Sequence, residues 1–332
     1  MRDVAELAGV GIKTVSRVVN DEPNVSPAMA ERVRRAVTEL MYQHNLAAGN
    51  LRRSDRRSLS IGLILANVAN PFDAAVHRGV EDVANSHGVA VFSASTDENP
   101  DRERSLNAAF TARRVDGLIV VSANPTHDFL AADLEVGMSI VFVDRPPVGI
   151  EADSVLVDNF GGAAQAVEHL HSHGHRSIAF LGDRSTLWTA RERHSGFLAA
   201  LEKLHIDAAN APTIDNLSNE YVAEAAVRSL MEASEPPTAL FAAQNLVTIG
   251  AIRALRSLGL EQEIALVGFD DLPLADLLQP GVTVIAQDPL QTGKLAAERI
   301  FDRINGDAGP AQRILVPTRF LVRGTGEIPP PS

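Results

Sequence analysis

A chain of 332 residues that is 45% apolar, 22% charged and 5% aromatic has the length for two or three compact units and the composition of a globular protein. The absence of cysteine excludes disulfides, thiolate catalysis and thiolate metal sites; no apolar run reaches the ~18 residues of a membrane helix, and no basic start leads into an apolar signal segment, so a cytoplasmic location is expected. The net charge of −12 is unevenly divided, with ten basic and seven acidic residues in 1–58 against twenty and thirty-five beyond, as suits a small DNA-reading module on an acidic regulatory body that discourages loose DNA binding.

In chain order, Val4, Leu7 and Ala8 share one face at helical spacing, and Gly9 ends that helix with a left-handed residue. Val15, Val18 and Val19 give a second apolar face; Lys13, Thr14, Ser16 and Arg17 lie opposite, with donors for phosphates and base edges. Helix, glycine turn, helix is either a helix-turn-helix, whose second helix enters the DNA major groove, or a small hairpin packed on a larger domain. A third helix favours the former. Ser26 is its cap, with Pro27 at the first helical position, and it carries Val33, Val37 and Leu40 inward with Arg32, Arg34 and Arg35 on and beside its other face.

From Leu59 apolar runs alternate with amphipathic helices. Strands are predicted at 60–65, 89–92, 117–121 and 140–143, with helices over about 72–87 and 101–113. The pattern restarts near Val155, with strands at 177–181, 239–242 and 264–268 and helices around 160–173, 190–204, 219–233 and 246–258. The last segment, about 283–325, holds a strand, a helix over 290–305 and the run Ile314–Val322. Continuous apolar strands between helices indicate parallel sheets covered on both faces. Two such halves in succession predict a bilobed domain whose ligands bind at the carboxyl ends of the strands, in the cleft between the lobes.

His169, His171, His173 and His175 suggest a metal cluster by spacing, but Gly174 ends that helix and no carboxylate or thiolate completes a set, so no metal and no cofactor are expected. Nucleophile-elbow, zinc-protease, P-loop and dinucleotide signatures are missing, which gives no basis for an enzyme.

The segments Asp3-Val-Ala, Ala8-Gly9-Val10, Thr14-Val-Ser-Arg-Val-Val-Asn20 and Val25-Ser26 resemble the headpiece of the lac repressor (LacI/GalR) family of bacterial transcription factors. The likeness continues through Asn70-Pro71-Phe72, Arg114–Ile119, Val157-Asp-Asn159, Gly174-His-Arg176, Ala190–Arg193 and Val267–Asp271, and so covers essentially the whole chain. It implies a helix-turn-helix headpiece at 1–44, a hinge helix and linker at 45–58, and a bilobed effector domain of the periplasmic-binding-protein type at 59–326. The N-lobe would hold about 59–156 plus 288–313 and the C-lobe about 157–286 plus 314–326.

That resemblance assigns the roles. Ile12 and Lys13 would open the recognition helix and meet base edges, with Thr14 beside them and Arg17 one turn on, at guanine or phosphate. Ser16, Asn20, Asn24, Ser26 and Tyr42 would touch the DNA backbone. Leu51 would wedge into the minor groove at the operator centre, from a hinge helix that Gly49 weakens by ~1 kcal/mol and that lacks the usual proline at His44. The usual Thr or Ser cap of the first helix is missing, at ~1 kcal/mol; either the start lies upstream or the charge of Asp3 compensates. Effector contacts are implied at Phe72, Asp73, Arg145, Trp188, Arg193, Asn245, Asp270 and Gln287. Arg193 offers a planar fork of donors, though Arg191 is an alternative. Trp188 is either a stacking face or a packing residue. Asn245 stands where relatives commonly have Asp, and Gln244 replaces the more usual Asn. Asp73 and Asn245 are expected to flank the position Arg193 addresses, from opposite lobes.

The function implied is a homodimeric repressor of a pseudo-palindromic operator, controlled by a sugar, sugar phosphate or nucleoside, with no membrane partner. A sugar-binding transport receptor of the same bilobed fold is the alternative. No leucine-heptad tail follows Glu327, so a tetramerising helix is not expected.

Overall fold

The computed structural model describes residues 1–19, 23–42 and 57–331. The chain forms two compact units, Met1–Ser58 and Leu59–Ser332.

In the first unit α1 (Arg2–Ala8), α2 (Ile12–Val19) and α3 (Pro27–Glu39) enclose a core of Val4, Ala5, Ala8, Val15, Val18, Val33 and Ala36. Gly9 ends α1 at φ 62°, and its N–H closes back on Ala5 and Glu6. The Ser26 hydroxyl accepts from the Met29 N–H to start α3, with Pro27 in the first turn. Two apolar assignments need correcting. Leu7 and Leu40 are exposed, and Ala5 and Ala36 take the inward positions. Leu7 lies two residues on from Ala5 and so points away from the side that Val4, Ala5 and Ala8 bury, and Leu40 is the C-cap residue past the last helical residue of α3. Arg32 also departs from a free basic face: its guanidinium donates to the Ala8 and Gly9 carbonyls and so closes the carboxyl end of α1.

The second unit holds two six-stranded sheets. The first is built from β1 (Ser60–Leu65), β2 (Ala90–Ser95), β3 (Gly117–Val120), β4 (Ser139–Val143), β5 (Asp153–Val157) and β11 (Arg313–Val316), in the order β11-β5-β4-β3-β1-β2 and parallel throughout. One face packs on α4 (Pro71–Ser86) and α11 (Pro289–Ile304), where Ile61, Leu63, Ile119 and Val141 meet Val76, Val80, Ala296 and Ile300. The other face, with Leu118, Val120 and Phe142, is covered by Phe110 of α5 (Pro100–Ala112) and by Leu130, just before the short α6 (Ala131–Glu135). Helices α4 and α11 touch backbone to backbone: a Cβ on Gly79 would lie 2.2 Å from the Leu290 carbonyl, and one on Gly293 2.1 Å from that of Val76.

The second sheet is β6 (Ile178–Leu181), β7 (Thr213–Ile214), β8 (Ala239–Ala242), β9 (Ala265–Phe269), β10 (Thr283–Ala286) and β12 (Arg319–Leu321), in the order β12-β10-β9-β8-β6-β7, with β12 antiparallel. Helices α7 (Asn159–Ser172) and α8 (Trp188–Lys203) cover one face, α9 (Glu220–Met231) and α10 (Asn245–Leu258) the other. The expected run Ile314–Val322 is therefore two strands. Arg313–Val316 pairs in parallel with β5 in the first sheet, whereas Arg319–Leu321 pairs with β10 in the second. The chain crosses at Pro317-Thr318, where proline removes a ladder donor, rather than before residue 314.

Sequence order reverses at β1 in the first sheet and at β6 in the second. The carboxyl ends flanking those strands face each other across the cleft, which is where a doubly wound sheet leaves a crevice.

Candidate functional site

A cavity of about 470 Å³, its mouth included, fills this crevice. Residues at or just past strand ends line it: Ala66 after β1, Glu98 after β2, Val121 after β3, Asp144 and Arg145 after β4, Asp183 after β6, Gln244 after β8, Asp270 after β9 and Gln287 after β10. Asn70, Phe72 and Asp73 at the start of α4 complete one wall; Leu187, Thr189 and Arg193 at the start of α8 complete the other. Glu98, Asp144 and Asp270 hold left-handed backbone, with φ of 58°, 66° and 75°. Strain of this kind at non-glycine residues gathers at ligand clamps.

Two arginines organise the charge. Arg145 is 8% exposed and grips Glu98 bidentately, at 2.7 and 2.6 Å, while also donating to the Ser122 carbonyl at 2.6 Å. Burial works against the Arg145 cation, but Glu98 and Asp144 outweigh it and hold the guanidinium charged. Arg193, 5% exposed, donates through Nε to Asn159 Oδ1 at 2.7 Å and through Nη1 to the Ala243 carbonyl at 2.8 Å. Its guanidinium carbon lies 3.8 Å from the Phe269 ring centroid, a cation–π stack that fixes the plane of the fork.

Carboxylates outnumber these cations. Asp73 accepts from the Asn67 N–H at 2.9 Å, yet burial, with Asp144 nearby, raises its pKa to about 7. Burial also raises the pKa of Asp144, Asp183 and Asp270, against the pull of neighbouring arginines. Asp270 accepts from the Gln287 amide and from the Asn245 N–H. Arg145 also lies 3.7 Å from Asp144 and faces Asp73, while Arg193 faces Asp270, Asp144 and Asp183, so the carboxylates exceed the charge of the two arginines. Such a site takes a ligand that brings hydrogen-bond donors and disfavours one that brings negative charge.

Of the expected effector contacts, Phe72, Asp73, Arg145, Arg193, Asp270 and Gln287 line this cavity together. Two do not. Asn245 lines an adjoining chamber of about 710 Å³ that shares Phe72, Asp270 and Gln287. Its Nδ2 donates across the cleft to Asn70 Oδ1 at 2.6 Å, and its own Oδ1 accepts from the Leu246 N–H at 2.7 Å. It therefore does not flank the position of Arg193 as expected: Asn70 Oδ1, which also caps α4 by accepting from the Phe72 N–H, captures the amide first. Trp188 is half-buried and lines a third chamber of about 990 Å³ toward the opposite end, together with Arg191. Arg191 braces its own loop by donating to the Ser185 and Thr186 carbonyls.

The chain has a Ser–His–Glu cluster that the sequence motifs did not announce. Ser122 Oγ lies 2.8 Å from His127 Nε2 and 2.7 Å from Glu103 Oε1. His127 Nδ1 accepts from the Val148 N–H at 2.8 Å, so in the neutral ring the proton sits on Nε2 and is donated to Ser122. Ser122 in turn donates to Glu103, whose other oxygen accepts from the Ala123 and Asn124 N–H groups, so the histidine donates to the hydroxyl instead of accepting from it. The cluster holds the loop after β3 rather than activating a nucleophile. Three of the four histidines of the expected cluster are held by other partners. His169 pairs with Glu327 at 2.6 Å, the His173 ring lies tilted against that of His169, and His175 bonds Thr238 and the Ile328 carbonyl, each at 2.8 Å. Among the described residues no group of three His, Cys, Asp or Glu side chains is arranged to hold a metal.

Residues 1–45 match the model for bacterial regulatory proteins of the lacI family, and 167–325 match a periplasmic binding protein-like domain. The HTH-type transcriptional regulator PtxS of Pseudomonas aeruginosa is 33% identical over 330 residues, covering 98% of this chain and 95% of its own. Among solved structures, the lac repressor dimer bound to operator and the anti-inducer ONPF superposes with a TM-score of 0.85 at 28% identity over 98% of each chain. A complex of the transcriptional regulator CelR with cellobiose superposes at 0.71, with 30% identity over 97% of this chain and 98% of that one.

The chain belongs to the LacI family.

As a LacI-family protein it is a DNA-binding transcriptional regulator, which sets aside the transport-receptor alternative. No helix among the described residues of this regulator is long and apolar enough to cross a membrane. On its α2, Ile12 and Lys13 at the start and Arg17 one turn on are exposed, while Val15 and Val18 are buried; Thr14 and Ser16 are intermediate. Asn24 holds left-handed backbone at φ 76°, exposed Ser26 caps α3, and Tyr42 packs against the core edge. Asn20 and Leu51, with the hinge helix, lie outside the described residues. In the cleft, Glu98, Asp144 and Asp183 were not among the expected contacts. The rule that strand ends carry the ligand would have pointed to Asp144, directly after Val143, and to Asp183, two places past Leu181. Nothing local marks Glu98, whose partner Arg145 is 47 residues away.

Proposed function

We propose that this LacI-family regulator is a repressor that binds a pseudo-palindromic operator as a homodimer in the cytoplasm, without catalytic activity, and that a sugar held between its lobes is the effector. The observation that carries the DNA half is the two-faced α2: Ile12 stands 47% exposed beside Lys13 while Val15, one turn on, is fully buried. An apolar side chain and a cation held outward at a helix start suit thymine methyl and base-edge contacts. Ile12, Lys13, Thr14 and Arg17 read bases; Ser16, Asn20, Asn24, Ser26 and Tyr42 position the backbone; Leu51 wedges the central step. Units 1–44, 45–58 and 59–326 are the headpiece, hinge and effector domain.

The effector half is supported by the convergence of strand-end carboxylates, in excess of the two arginines Arg145 and Arg193, on one cavity, a lining that matches the hydroxyl donors of a sugar and opposes a phosphate. The solved relative with cellobiose supports the same ligand class. Closure of the lobes on the effector biases the hinge and couples the two sites. Footprinting of the purified protein on its own upstream DNA tests the proposal: a protected two-fold symmetric site, altered by a sugar, is expected. Protection without symmetry, or none at any salt concentration, refutes it.

A further inference from the structure

We propose that Glu98 sets the charge selectivity of this regulator: by occupying the guanidinium fork of Arg145 it refuses sugar acids and sugar phosphates and leaves the cleft to neutral sugars. The inference rests on the sugar reading above and names the residue that enforces it. Glu98 Oε2 and Oε1 accept from Arg145 Nη1 and Nη2 at 2.7 and 2.6 Å, in a pair whose side chains are 19% and 10% exposed. A free arginine takes a ligand carboxylate or phosphate in this same two-bond geometry. Both residues line the cavity, so the pair stands in its wall. Arg145 Nη1 also donates to the Ser122 carbonyl at 2.6 Å, and Nε lies 3.7 Å from Asp144, so the plane of the fork is fixed and Glu98 holds its terminal nitrogens.

The backbone is bent to deliver that carboxylate. Asp97 and Glu98, between β2 and α5, both hold left-handed backbone, at φ 53° and 58°. Two consecutive residues of this kind persist only where their surroundings over-determine them. Here the Asp97 N–H donates to the Ala66 carbonyl at 2.8 Å, the Asp97 carboxylate pairs with Arg102, and the Asn99 side chain caps α5. Glycine would take the same turn with less strain, so what glutamate adds at residue 98 is the contact with Arg145. The other carboxylates of the cavity oppose an anion in a weaker way. Burial pushes Asp73, Asp144, Asp183 and Asp270 toward their neutral forms, so each yields to an incoming anion by taking up a proton. Glu98 instead denies the anion the cation it would bind.

The test is calorimetry of the full chain with matched probes: glucose with glucuronate and glucose 6-phosphate, galactose with galacturonate, and ribose with ribose 5-phosphate. In at least one set wild type should bind the neutral sugar ten-fold or more tighter than its acidic partner. Glu98→Gln keeps the shape but sets an N–H against one terminal nitrogen of Arg145, which releases the fork; affinity for an acidic probe should rise ten-fold or more. The double variant Glu98→Gln with Arg145→Gln should lose that gain, because a gain through the fork needs the arginine. Glu98→Ala gives a second route to the same gain, and the wild-type ratio decides by itself if neither variant folds. Acidic probes that bind wild type as tightly as neutral ones, folded Glu98 variants without the gain, or a gain that survives in the double variant overturn the inference and leave the sugar reading standing. A gain for acids in Glu98→Gln while wild type binds no neutral sugar supports the inference and overturns the sugar reading. Failure of every probe to bind either protein overturns both.

Discussion

Replacing Asp73 by Asn isolates the cost of a carboxylate held in the cleft. Asp73 is 2% exposed, and burial raises its pKa from 3.8 to about 7. Between those values the unfolded chain loses a proton that the folded chain keeps, so stability falls as pH rises from about 4 to 7 and is level above. Roughly three pKa units at 1.36 kcal/mol each give about 4 kcal/mol of destabilisation by pH 8, of which about 2.6 kcal/mol accrues between pH 5 and pH 8. Asparagine is neutral throughout, and its Oδ1 still accepts from the Asn67 N–H. Asp73→Asn should therefore stabilise the protein, and its advantage over wild type should widen by about 2–3 kcal/mol from pH 5 to pH 8. Urea unfolding of both proteins at the two pH values measures this. A difference that is independent of pH, or that narrows as pH rises, would refute the reasoning.

Hydroxyl donors from an effector favour the ionised carboxylate, so binding should release protons near neutrality and tighten as pH rises through about 7; calorimetry in two buffers of different ionisation enthalpy shows the sign. Arg193→Ala leaves Asn159 Oδ1 and the Ala243 carbonyl buried without their donor, at about 1–3 kcal/mol, and should abolish the effector response; a wild-type dissociation constant in that variant would make Arg193 a structural charge only. Asn245→Asp sets an oxygen against Asn70 Oδ1 in place of a donor, which should weaken the contact between lobes and open the effector-free protein in small-angle scattering. Arg17→Ala should cost about 1–3 kcal/mol of operator binding if Arg17 reads a base, whereas Arg32→Ala should instead lower headpiece melting, because it uncaps α1.

The sequence by itself determined the elements. Val15 and Val18 set the buried side of α2, and Gly9 and Ser26 set helix boundaries. The unbroken apolar runs at Ser60–Leu65 and Ala239–Ala242 fixed buried parallel strands, since only a sheet covered on both faces buries every residue of such a run. These signals are local: each depends on residues within a turn or two. Strand-end residues such as Asp270 and Gln287 were legible for the same reason, given a doubly wound pattern. What the tertiary structure decided is who meets whom. Arg145 with Glu98 and Arg193 with Asn159 join residues 47 and 34 apart, and Asn245 with Asn70 joins residues 175 apart. Leu7 and Leu40 satisfied the helical period yet lie in solvent, because periodicity ranks faces but does not say which side chains the neighbouring helices cover or where α3 stops. The run Ile314–Val322 is apolar at both ends with Pro317, Thr318 and Arg319 between them, and the edges left open by β5 and β10 sent its two halves to different sheets. Hydrogen-bond partners and open strand edges exist only once distant segments are packed, and no window of sequence contains both sides of such a contact.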